Sequence, residues 1–117
     1  MLESITTCRD LYVHNRTQQQ LQTYYRDLQK LARQLEAIGE NLAHNREFGE
    51  FLTLRFPTVG QKISDNLAHC RTRYQTLNAR FTGHTLQLHD PVLHEFLRVA
   101  TRTVRTFDCV ASVYLRD

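Results

Sequence analysis

The sequence predicts an all-α protein: long, amphipathic, coiled-coil-like helices in an elongated bundle, dimeric through one of its seams. Three observations predict it. Only two prolines and four glycines interrupt 117 residues. Apolar side chains recur every three or four positions over most of the chain, and no stretch of useful length alternates apolar and polar residues as a half-buried strand does.

The first element carries the clearest pattern. Leu21, Leu28, Leu35 and Leu42 repeat every seven residues, and Tyr24, Leu31, Ile38 and Asn45 follow three residues after each. Such a repeat makes a coiled-coil seam. The residues between, among them Arg26, Asp27, Lys30, Arg33 and Glu36, form the solvated face. Phe56-Pro57 closes the segment, because proline offers no backbone donor and pushes the residue before it out of the helical region. One helix over residues 8–56 would span about 70 Å at ~1.5 Å per residue, far more than a compact domain of this size, so the molecule is expected to be elongated. Gly39 and Gly49 are expected to mark bends or close helix approach, the alternative being a shorter helix that ends at Gly49.

A second stripe runs through Gly60, Ile63, Leu67, Cys70, Tyr74, Leu77 and Phe81, and a third through Phe96, Ala100, Phe107, Val110 and Tyr114. Asp90-Pro91 before the third reads as an N-cap followed by a first-turn proline. Residues 83–91 are then either a loop that folds the third segment back or a kink in one bent rod of roughly 90 Å (~1.5 Å per residue). Leu86, Leu88, Val92 and Leu93 favour an ordered crossing, and the kinked rod is the expectation.

Composition bounds the function. No apolar run approaches the ~20 residues of a spanning helix. The opening MLESITTCRD has neither a basic start nor an apolar stretch, so a cytoplasmic protein, peripheral to membrane at most, is expected. Asn15-Arg16-Thr17 fits a glycosylation triplet, discounted for the same reason. Cys8, Cys70 and Cys109 are widely spaced and include no C-x-x-C pair, so they are expected to be buried small hydrophobes rather than a disulfide or zinc set. His84, His89 and His94 stand five apart, which scatters them around a helix, and the glycines stand alone. No catalytic constellation, metal site or cofactor site is expected, and the chain reads as a binding module rather than an enzyme.

The charge excess of +3 lies wholly in residues 57–117, with eight basic and five acidic side chains, and thirteen of the fifteen basic residues are arginine. His94, Arg98, Arg102 and Arg105 recur along one helical face, and His69, Arg73, Arg80 and His84 form a second file. Arg73, Arg80, Arg98, Arg102 and Arg105 are therefore candidate contacts to an anionic surface, because arginine's planar fork suits phosphate. A solvated face balanced by Glu95 and Asp108 is the plain alternative.

The order of elements resembles the first half of a BAR domain of the centaurin and oligophrenin type. The resemblance rests on Cys8-Arg9-Asp10-Leu11-Tyr12-Val13-His14-Asn15, Tyr25-Arg26-Asp27-Leu28-Gln29-Lys30-Leu31 and Phe48-Gly49-Glu50-Phe51-Leu52. It continues with Pro91-Val92-Leu93-His94-Glu95-Phe96 and with Phe107-Asp108-Cys109 through Tyr114. Residues 1–117 would then be a single helical domain, a truncated or reduced BAR-like one. A shorter stretch, Arg73-Tyr74-Gln75-Thr76-Leu77-Asn78-Ala79-Arg80-Phe81, is similar to a segment in the small helical subunit of the spindle-and-kinetochore-associated complex. The first resemblance implies a homodimer on anionic membrane lipids, and the second a helical subunit or adaptor for protein partners. Nucleic acid is disfavoured. The seam of Leu21, Tyr24, Leu28, Leu31, Leu35, Ile38 and Leu42 is the expected assembly surface.

Overall fold

The computed structural model describes the backbone of residues 8–116 and the side chains of residues 15–116; the Cys8 side chain lies outside the described residues. Four helices follow one another: α1 Cys8–His44, α2 Arg46–Arg55, α3 Pro57–Thr82 and α4 Pro91–Arg116. No strand occurs among the described residues. The molecule is elongated, 68 × 24 × 20 Å, with a radius of gyration of 19.1 Å.

The expected first helix is two helices, and the break is at Asn45 rather than at Gly49. The Asn45 side chain accepts from the Phe48 amide at 3.1 Å and so caps α2. The break is slight, since the Asn45 amide still donates to the Asn41 carbonyl and the Gly49 amide to that of Asn45. Phe56-Pro57 ends α2 as expected, with Phe56 outside the helical region at φ −140° and ψ 58° and Pro57 opening α3. The chain reverses there. A Cβ on Gly60 would meet Leu52 at 3.5 Å, an ordinary packing distance, so the reversal does not require a glycine there, and one on Gly39 or Gly49 would meet nothing within 4 Å. Neither of the latter two marks a close approach.

Residues 83–90 fold the chain back, so the expected kinked rod does not form. Tyr74 packs on Phe96 and Arg80 pairs with Asp90, which makes α3 and α4 antiparallel. α1 runs antiparallel to α3, with Tyr25 stacked on Phe81 at 3.8 Å and its hydroxyl donating to Asn78 Oδ1 at 2.6 Å. It runs parallel to α4, because Tyr24 meets His94 near one end while Phe48 meets Phe107 and Tyr114 near the other. The loop wins over the rod for two reasons. Asp90 caps α4 through the Val92 amide at 2.9 Å, and the last carbonyls of α3 are taken by the amides of Gly83, His84, Thr85 and Leu86.

All three apolar stripes meet in one core. Leu28, Ile63, Cys70, Leu77, Leu93, Phe96 and Ala100 are essentially inaccessible. From the first seam, Leu21, Leu28, Leu35 and Ile38 are buried, and Tyr24, Leu31 and Leu42 pack half-buried against them. The seam expected to hold two chains together is thus covered by α3 and α4 of the same chain. Each such aliphatic side chain contributes about 1.5–3 kcal/mol when fully buried.

Candidate binding surface

α4 has two unlike sides. Its inner side carries Leu93, Phe96, Ala100, Thr103 and Val110 into the core. The buried Thr103 hydroxyl donates to the Val99 carbonyl at 2.8 Å, so its polar group costs nothing there. Its outer side carries His94, Arg98, Arg102, Arg105, Cys109, Ser112 and Arg116, all exposed, with no acidic residue in the file. Leu97, Thr101 and Thr106 complete a shallow concavity with Arg98, Arg102, Arg105 and Cys109. Among the described residues, no carboxylate lies within ion-pair distance of Arg98, Arg102 or Arg105. These three guanidinium groups sit within ~10 Å along the helix axis. His94 is engaged elsewhere, its Nε2 2.6 Å from the Leu88 carbonyl.

The second arginine file does a different job. Arg80 Nη1 lies 2.7 Å from Asp90 Oδ2, Arg73 Nε 3.3 Å from Glu95 Oε1, and His69 Nε2 3.1 Å from the same Glu95 oxygen. These pairs tie α3 to α4. The Arg73 contact is a charge attraction without hydrogen-bond alignment, since its buried Nε has no aligned acceptor. Burial alone would raise the Asp90 pKa, but the Arg80 hydrogen bond, the Val92 and Leu93 amides and the Arg80 charge together hold it below its ordinary value. Of the five candidate surface arginines, then, three stand free on one face and two are occupied between helices. Sequence spacing placed His69, Arg73 and Arg80 along α3 and the other file along α4, but His84 lies in the turn beyond α3, and spacing carried no sign of which carboxylates would face the second file.

The cysteines separate as well. Cys70 is buried as expected, and burial, helped by the Glu95 charge, pushes its thiol up to about 11, so it stays protonated and inert. Cys109 is exposed on the arginine face, contrary to expectation. Among the described residues no three His, Cys, Asp or Glu side chains converge as a metal site, and no helix is long and apolar enough to cross a membrane.

Two features escaped the sequence reading. Phe48, Phe51, Phe56, Phe107 and Tyr114 make an aromatic cluster where α2 meets the end of α4. The spacing of Phe48, Phe51 and Leu52 held a signal for it. The other is an open groove of ≈ 710 Å³ between α1 and α3. No family model, curated protein or solved structure matches this chain.

Proposed function

We propose that the chain is a non-catalytic helical module that lays the outer face of α4 on an anionic membrane. The observation that carries this reading is the file of Arg98, Arg102 and Arg105, exposed, close together and without an internal carboxylate. A solvated face is usually balanced by neighbouring acids; here the exposed Asp108 makes no ion pair with any of the three arginines. Each basic residue near a charged bilayer contributes ~1 kcal/mol, so three give about 3 kcal/mol, roughly a hundredfold in affinity. Binding of this size is reversible and sensitive to salt.

The reading departs in one respect from what the BAR resemblance implied. It rests on one arginine face and not on a long curved rod, because the chain folds back at residues 83–90. The α1 seam lies in the core, so the binding is assigned to the chain itself and not to a seam-joined dimer.

Co-sedimentation with vesicles tests it. The protein should pellet with phosphatidylserine-containing vesicles at low salt, less so near physiological salt, and not with purely phosphatidylcholine vesicles. Arg98→Glu combined with Arg102→Glu and Arg105→Glu should abolish pelleting while leaving the melting temperature nearly unchanged, since none of the three packs in the core. Equal pelleting with neutral vesicles, or none with anionic ones, overturns the proposal.

A further inference from the structure

The groove between α1 and α3 has a floor of small side chains. Ala32, Gly39 and Ala43 line its α1 side and Ala68 its α3 side, with Leu35 and Tyr74 beneath. Gly39 is the telling residue. It lies inside a helix, where glycine costs ~1 kcal/mol relative to alanine. Its backbone is ordinary, and a Cβ there would meet nothing within 4 Å. Nothing in the chain's own fold therefore calls for a glycine at this position, but a helix approaching from outside would.

The rims carry charge. Glu36 and Glu40 stand on the α1 side and Arg71 on the α3 side. Glu40 has only His44 within ion-pair reach, an exposed i, i+4 neighbour, while Glu36 and Arg71 have no partner among the described residues. These opposite charges border one groove without meeting. From Ala32 to Ala43 the groove runs about 16 Å, the length of three helical turns.

We infer that this groove is the docking site for one amphipathic helix of another protein, with a small-residue or leucine seam inward and basic side chains toward Glu36 and Glu40. A second copy of the chain is a poor occupant. The apolar stripes of its described residues are spent in its own core, which leaves no seam free to lie in the groove. Together with the arginine face of α4, the groove would make the chain an adaptor that holds a helical partner at a surface, although the docking does not depend on membrane binding.

The test uses the full chain without vesicles and two synthetic helical peptides of about 20 residues. Both have a Leu/Ala seam; one has lysines on one flank and glutamates on the other, and the control has glutamates on both. Fluorescence anisotropy should show the lysine peptide binding at least tenfold tighter than the control. Gly39→Leu should remove that binding at unchanged or raised melting temperature, since it fills open space and improves the helix. Glu36→Lys with Glu40→Lys should transfer the preference to the control peptide. Equal binding of both peptides, or binding that survives Gly39→Leu, overturns the inference. So does sedimentation equilibrium that finds a dimer dissociated by Gly39→Leu, which would make a second copy the occupant.

Discussion

Leu35 belongs to the seam that sequence reasoning assigned to an interface between chains, and it is 7% exposed inside a single chain. The change in setting alters what its substitution does. Leu35→Asp should destabilise folding itself by several kcal/mol, because an unpaired carboxylate would enter the core. Urea unfolding checks this, and an unchanged midpoint would return Leu35 to a surface role. Asp90 gives a pH signature. Its folded pKa is lowered, so its contribution to stability is fully present above the ordinary carboxylate range and is lost as pH falls from about 4 through the lower folded value. Asp90→Asn should keep the cap yet show a shallower acid loss of stability than wild type, read as melting temperature against pH from 6 to 2.5. Parallel acid profiles would rule this out. At this scale the apolar residues were legible because the seven-residue repeat names the inward positions. Whether a neighbouring helix of the same chain or of another fills the seam was not legible, since periodicity describes one helix and says nothing of its partner.

Among the elements, the connection between α3 and α4 separates what sequence signals carry from what they omit. Asp90 and Pro91 announced a helix start, and both serve as one. Glycine suggested where the preceding helix would end, and α3 does stop at Gly83. The left-handed residue, however, is His84 at φ 60°, while Gly83 keeps an ordinary φ of −86°. A residue with a Cβ pays roughly 1–2 kcal/mol for that conformation, whereas glycine adopts it without the clash. His84→Gly should therefore raise stability by several tenths to about 1 kcal/mol in chemical denaturation, after the entropy that glycine loses on folding, and His84→Val should lower it by more than 1 kcal/mol. A loss on His84→Gly would mean that the imidazole contributes more than the strain it carries. The rod was expected because Leu86, Leu88, Val92 and Leu93 looked like continuous packing. Leu86 and Leu93 are indeed buried, but they pack beneath a turn instead of along a rod. Apolar residues beside a proline fix burial, not direction.

For the whole molecule, elongation was legible and its cause was not. A single 70 Å helix was expected to set the length; the observed 68 Å instead comes from a fold-back bundle whose longest element, α1, has 37 residues and is about 55 Å long at ~1.5 Å per residue. A compact chain of 117 residues would have a radius of gyration near 13 Å, against the observed 19.1 Å. Solution scattering distinguishes the arrangements without labels. The fold-back chain should give a radius of gyration close to 19 Å, a few Å larger with hydration and side chains, and a maximum dimension near 70 Å. A bent rod of residues 58–117 alone would already reach roughly 90 Å, so a maximum dimension beyond 100 Å at the mass of one chain would refute the fold-back. The measurement also bears on assembly. Because α3 and α4 cover the α1 seam, neither scattering mass nor shape should change across a hundredfold dilution, whereas a seam-joined dimer would dissociate or appear at twice the mass. Diluting Leu35→Asp adds the internal control: if the seam is internal, that variant loses its compact scattering profile without passing through a folded monomer.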